Sequence, residues 1–210
     1  MKIIVSLDNQ NHPGWLKLEE SLKRHGWDYH TIVKEWKGFG TKIIGLYEYL
    51  ISSNIHQFIY LDAYDNYCIA GPDELKHKPK GNHKIILSNE KGCYPDTHNI
   101  GKFPTVSHDW KYINSGQIWG NAVDFCKIYQ MNPPKYEDDD QRWYTDTYLN
   151  LVNQCDWIGL DYCNIFQSIA FESEGDFEIR YGRLYNKITH TFPMFIHGNG
   201  KTDMTKFYQL

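Results

Sequence analysis

The 210-residue chain is 41% hydrophobic and 16% aromatic, and its net charge is −4. That is ample material for one packed domain, and the mild acidic balance gives no footprint for strong, nonspecific nucleic-acid binding. No window approaches the ~18–20 apolar residues of a membrane span, and the N-terminal MKIIVSLDNQ is too short for a signal-peptide core; the chain is expected to be soluble and cytoplasmic.

KIIVSL (2–7) predicts a first strand. A helix follows over 12–27, with Leu16, Leu18 and Leu22 near helical spacing and Gly26 as a stop signal. YHTIV (29–33) is the second strand. TKIIGLYEYLISS (41–53) is a second helix, with apolar positions 43, 46, 47 and 50 on one stripe. FIYL (58–61) is the third strand, and its lack of polar alternation predicts that both faces are covered, as in a parallel sheet. This alternation is that of an α/β domain. Beyond Asp65 the pattern loosens: one helical turn at 71–76, a strand at 84–88 and a long connection over 92–110. YINSGQIWGNAVDFCKIY (112–129) reads as a short strand leading into a helix. A strong helix covers 138–152, and a short apolar run ends at His197. No repeat or linker divides the chain, so residues 1–210 are expected to form a single domain. Five cysteines, at 68, 93, 126, 155 and 163, show no C-x-x-C spacing, which favours reduced thiols over a zinc cluster.

The third strand runs directly into Asp62 and Asp65. Residues just past the carboxyl end of a parallel strand face the ligand crevice, and two carboxylates there suit a hard divalent cation. A turn in which Asp65 begins the reversal and Asp62 caps a local amide explains the pair equally well. His197 shifts this balance, because MFIHGNG repeats the arrangement: an apolar strand, a metal-competent side chain, then glycines that admit close backbone approach. Two carboxylates and an imidazole suit Mn²⁺, with Mg²⁺ a weaker fit. YINSG (112–116) is either a plain turn or a source of amide groups for sugar hydroxyls. The acids of EDDDQRW (137–143) stabilise a helix N-terminus, or aim Asp139 or Asp140 into the crevice.

Taken in order, GFGTK (38–42), LDAYD (61–65), NEKGCYPD (89–96), YINSG (112–116), DDQRWYTDTYL (139–149), LDYCNIFQ (160–167) and IHGNGKT (196–202) resemble the glycosyltransferase domain of procollagen lysyl hydroxylases and related procollagen galactosyl- and glucosyltransferase-like enzymes. The resemblance implies a GT-A, Rossmann-like α/β fold with a mostly parallel central sheet flanked by helices. It implies metal ligands at Asp62, Asp65 and His197, and a base contact at Tyr64. It places Asn114, Asp139 and Asp140 around the donor sugar, Lys42 in a G-x-G-x-K stretch, and Gly198, Asn199, Gly200 and Lys201 near the diphosphate. A solvated surface position is the alternative for Lys201. The activity implied is transfer of glucose or galactose from a UDP-sugar to a hydroxyl acceptor, dependent on Mn²⁺ or Mg²⁺ and retaining in stereochemistry. The acceptor is expected on a protein or glycan. Hydroxymethylated DNA bases are the alternative, for which the basic stretch 75–84 would serve, though a solvated loop accounts for it better. A metal-dependent phosphoester hydrolase and a noncatalytic sugar-binding module are the readings from other classes.

Overall fold

The computed structural model describes residues 1–79, 81–151, 157–162, 164–170, 175–200 and 202–210. Its centre is a six-stranded sheet. β1 (Lys2–Leu7), β2 (Tyr29–Val33) and β3 (Gln57–Asp62) form one half, and β5 (Ile85–Glu90), β6 (Tyr112–Asn121) and β7 (Ile158–Leu160) the other, in the order β2-β1-β3-β6-β5-β7. β1 pairs in parallel with both β2 and β3, β5 pairs in parallel with β7, and β6 runs antiparallel to β3 and β5. Thus only β6 opposes the rest, and the sheet is mostly parallel.

The strands lack polar alternation because both faces are buried, as expected when helices cover a parallel sheet. Ile4, Phe58 and Tyr60 face one core, with Ile43, Leu46 and Leu50 of α2 (Gly40–Ser52), Phe125 of α4 (Ala122–Met131) and Trp143 and Tyr148 of α5 (Asp140–Leu151). Ile3, Val5, Ile59 and Leu61 face the other, with Leu18 and Leu22 of α1 (Pro13–Arg24). α1 opens with Pro13 at its first turn, preceded by His12, whose Nδ1 accepts from Gly14 N at 3.1 Å. α3 (Pro72–Leu75) is the single helical turn expected near Pro72.

Against the second core lies a three-stranded sheet, β4-β11-β8, made of β4 (Asn66–Cys68), β8 (Phe166–Ser168) and β11 (Phe195–His197). β11 is antiparallel to β4 and parallel to β8. A hairpin, β9 (Phe177–Arg180) and β10 (Arg183–Asn186), turns through Tyr181 (φ 54°) and Gly182 (φ 72°). That is the left-handed pair a tight two-residue hairpin turn requires. The sequence pattern indicated neither β4 nor this hairpin.

β6 also differs from the short strand expected. It is ten residues long, and its register against β5 jumps from Leu87↔Ile118 to Ser88↔Asn114. Residues 115–117 therefore form a bulge beside the end of β3, whose Leu61 pairs with Gln117. Bulges re-aim side chains, and this one turns Asn114 toward β11. Among the described cysteines, Cys68, Cys93 and Cys126 are free thiols; Cys155 and Cys163 lie outside the described residues. No helix among the described residues is long and apolar enough to cross a membrane.

Candidate functional site

Asp62 is the last residue of β3, Asp65 ends the short turn into β4, and His197 ends β11. Pairing of His197 with Asn66 across β11 and β4, and the Gly198 N–H bond to Asp65 O at 2.7 Å, draw these three together. One ligand atom from each lies within 4.8 Å of the others. His197 is buried, with Nε2 3.1 Å from Asp65 Oδ2, yet that nitrogen makes no well-directed hydrogen bond. Burial would push the His197 imidazole down, but the Asp65 carboxylate overrides this and holds it above its ordinary value. Asp65 shows the reciprocal effect: burial raises it most, and His197, through its charge and its close approach, together with Lys42 brings it below the usual carboxylate range.

Lys42 forms the second half of the cluster. Its Nζ donates to Asp62 Oδ1 and Oδ2 at 2.9 and 2.8 Å and lies 2.6 Å from Asp140 Oδ2. Burial disfavours the ammonium, but Asp62 and then Asp140 more than compensate and hold it well above its ordinary value. Burial raises Asp62, and Lys42 offsets only part of that rise. Lys42 reaches Asp140 because the G-x-G stretch docks backbone to backbone. A Cβ at Gly38 or Gly40 would strike the Tyr136 or Lys135 carbonyl, and Gly40 N donates to Tyr136 O at 3.1 Å. The segment entering α5 is thereby clamped onto the start of α2.

The three acids before α5 separate in role. Asp138 Oδ2 accepts from Lys135 N, and Asp139 Oδ1 from Arg142 N, each at 2.8 Å. The second is an N-cap contact that begins α5, and the first ties the turn before it. Asp140 is buried and turns inward to Lys42. Asn114 is buried too, its Oδ1 2.8 Å from His197 Nδ1. Asn199 Nδ2 donates to Glu90 Oε2 at 2.7 Å, and Gly200 takes φ 68°. Gly198 sits where a Cβ would press on Met204. Lys201 lies outside the described residues.

A cavity of about 350 Å³ adjoins the acids. Trp36, Phe39 and Tyr64 supply aromatic walls, and Ser6, Asp8, Thr41 and Lys42 polar ones. Tyr64 is fixed from the β1–α1 loop: its OH accepts from Asp8 N (3.1 Å) and Asn9 N (2.9 Å) and donates to the Asp8 carboxylate. The His12 ring lies against it, centroids 4.0 Å apart.

Trp36, Asp8 and Glu90 were not picked out as site residues from sequence. Glu90 is buried and joins three segments. It accepts from Gln141 Nε2 at 2.7 Å, from Asn199, and at 3.4 Å from Asn114 Nδ2. The detectable signal was a glutamate closing the otherwise uncharged strand IILSNE. Gln141 also accepts from Ser115 N at 3.3 Å, so the N-S-G and D-D-Q motifs are physically linked.

A sheet with one reversed strand, a crevice at the carboxyl ends of β1 and β3, and a clustered acid–imidazole set define a GT-A glycosyltransferase architecture. Two solved structures share it. The glycosyltransferase involved in glycosylation of the major capsid of PBCV-1 aligns over 99% of this chain and 96% of its own, with TM-score 0.54 and 15% identity. The WbbM bifunctional glycosyltransferase aligns over 97% of this chain and 46% of its own, with TM-score 0.53 and 13% identity. The PLOD GT domain family model matches residues 5–208, and the chain belongs to that family. Its relatives include protein R699 of Acanthamoeba polyphaga mimivirus, 31% identical over 89% of this chain and 43% of that protein. Another is mouse procollagen-lysine,2-oxoglutarate 5-dioxygenase 2, 27% identical over 98% of this chain and 30% of that protein. The chain thus spans less than half the length of these curated relatives.

Proposed function

We propose that this glycosyltransferase domain moves a hexose, glucose or galactose, from a UDP-sugar to a hydroxyl on a protein or glycan, with retention and with Mn²⁺ or Mg²⁺ as its metal. The observation that carries the reading is the convergence of Asp62, Asp65 and His197 beside an aromatic-walled cavity at the end of β3. The donor set fits a divalent ion: two carboxylates and a buried imidazole nitrogen that makes no well-directed hydrogen bond among the described residues. Charge agrees as well. Asp62, Asp65 and Asp140 against the Lys42 ammonium leave two negative charges with His197 neutral, the amount a divalent cation cancels.

Asp62, Asp65 and His197 would hold the ion, which when bound stabilises the negative charge of a departing diphosphate. Tyr64, immobilised by Asp8 and Asn9, borders the nucleoside and orients its base. Lys42 holds Asp62 and Asp140 in register, and Asp140, with Asp139 beside it, accepts from hydroxyls of the hexose. Gly198, Asn199 and Gly200 bring backbone close to the phosphates, and Lys201 would add a positive charge there. The test is UDP release from a panel of UDP-sugars, with mass analysis of candidate acceptors and NMR of the product anomer. Metal-dependent turnover of UDP-glucose or UDP-galactose is the expected result. Phosphate release from simple esters without an acceptor would favour a hydrolase instead.

A further inference from the structure

Asn114 belongs to a motif that suggested a sugar contact, yet its side chain is spent elsewhere. Its Oδ1 lies 3.0 Å from Gly116 N, and a backbone N–H can only donate, so the atom in that position is the amide oxygen. On the other side Nδ2 faces Glu90 Oε1 at 3.4 Å, an acceptor, which fixes the amide the same way round. The backbone beneath is held as well, since Ser88 Oγ donates to Asn114 O at 3.0 Å. An oxygen that only accepts, 2.8 Å from His197 Nδ1, requires the ring proton on Nδ1. In the neutral imidazole, Nε2 then carries a lone pair. Among the described residues that buried nitrogen makes no well-directed hydrogen bond, and it faces Asp65 Oδ2 at 3.1 Å. Facing a carboxylate, that nitrogen needs either a proton of its own or a metal cation, and the divalent ion of the proposed site supplies the second. Gly116 makes the arrangement sterically possible: a Cβ there would lie 2.6 Å from Nδ1 and 2.7 Å from Nε2.

We propose that Asn114 is a positioning residue that acts through His197, holding the imidazole with Nδ1 protonated and Nε2 turned to the metal shared with Asp65 and Asp62. The inference rests on the metal reading of the site and gives N-S-G a different role, in which asparagine orients the histidine and glycine clears space for its ring. Partners on the far nitrogen of a ligating histidine set its tautomer and orientation, and their loss lowers metal affinity about 10–100-fold.

The test is a double-mutant cycle on Mn²⁺ affinity, read by electron paramagnetic resonance of free Mn²⁺ with UDP present and no sugar. Asn114→Leu should weaken Mn²⁺ binding about 10–100-fold. His197→Ala should weaken it at least as much, and the double variant should be no worse than His197→Ala alone. Asn114→Ala, which removes the same acceptor without adding bulk, replaces the leucine variant should that one not fold. Because no sugar is present, an asparagine that only contacts the hexose would leave the Mn²⁺ affinity of the Asn114 variants unchanged. Wild-type Mn²⁺ affinity in the Asn114 variants, or losses that simply add in the double variant, overturns the positioning role while leaving the metal site intact. Absence of Mn²⁺ binding by the wild type, or wild-type affinity in His197→Ala, overturns the metal reading and this inference with it.

Discussion

Two clusters of partly buried charge in this domain are built on opposite balances. Around Glu74 of α3, one carboxylate meets two cations: Arg183 at 2.7 and 3.1 Å and Lys78 at 3.1 Å. Burial pushes Glu74 up, but the Arg183 and Lys78 bonds prevail and hold it below its ordinary value. Around Lys42 the ratio is reversed: one ammonium serves Asp62 and Asp140, and among the described residues Asp65 is paired with the imidazole of His197. There burial wins at Asp62, which stays raised. The first cluster is a closed structural tie between α3 and β10. Among the described residues, the second holds more carboxylates than cations and an imidazole nitrogen without a well-directed hydrogen bond in a buried place, a costly arrangement unless a cation completes it.

Removing ligands should separate the clusters most sharply. Asp65→Ala is expected to abolish metal-dependent UDP-sugar turnover while circular dichroism and the melting transition stay close to wild type, because Asp65 sits in a turn outside the main sheet. Wild-type-like turnover in that variant would remove Asp65 from the metal site. Lys42→Met should come next. Breaking a buried ion pair costs about 3–5 kcal/mol, so the metal-free variant should melt well below wild type. Mn²⁺ should recover part of the loss by mass action. A melting temperature equal to wild type without metal would show that Lys42 does not hold the two aspartates together.

A smaller effect follows from pH. Asp65 raises His197 above the ordinary 6.5, so their pairing in the metal-free protein contributes stability below about pH 6.5. That contribution is lost as pH rises through the folded value. Metal binding has the opposite sign, since Nε2 must be unprotonated to ligate. Mn²⁺ should therefore raise the melting temperature more at about pH 8 than at about pH 6, as differential scanning fluorimetry would read. An equal shift at both would remove His197 from the ligand set. The smallest effect should come from Glu74→Gln. Its partners are about a quarter exposed or less, so stability should fall by about 1 kcal/mol, with Mn²⁺ and UDP binding unchanged.

Local pattern carried the first half of the chain. β1, α1, β2, α2 and β3 each announce themselves through apolar runs or helical spacing, and the carboxyl end of β3 marks Asp62 and Asp65 as a turn or a metal edge that only His197, from a distant strand, could weight toward metal. The strand at His197 was readable for the same reason, an unbroken apolar run stopped by glycines. β4 was not, because three residues of NYC carry no periodicity and become a strand only by pairing with β11. The hairpin of β9 and β10 was missed although Tyr181–Gly182 marks its turn. Links across long separations were beyond local pattern as well: Asn114 to His197, Lys42 to Asp62 and Asp140, Glu90 to Gln141 and Asn199. They depend on the β6 bulge and on the Gly38–Gly40 docking, both products of tertiary packing. The acidic run before α5 had a structural and a functional explanation, and the structure shows both kinds of contact: Asp139 caps the helix, Asp138 ties the preceding turn, and Asp140 joins the charge cluster.

The central claim is that Asp62, Asp65 and His197 hold a divalent ion that receives a nucleoside diphosphate. Isothermal titration of UDP into the protein, with Mn²⁺ and again with the metal chelated away, tests it most directly. A single UDP site with Mn²⁺, and little or no binding without it, is the expected result. Equal UDP binding under both conditions, or none in either, would contradict it.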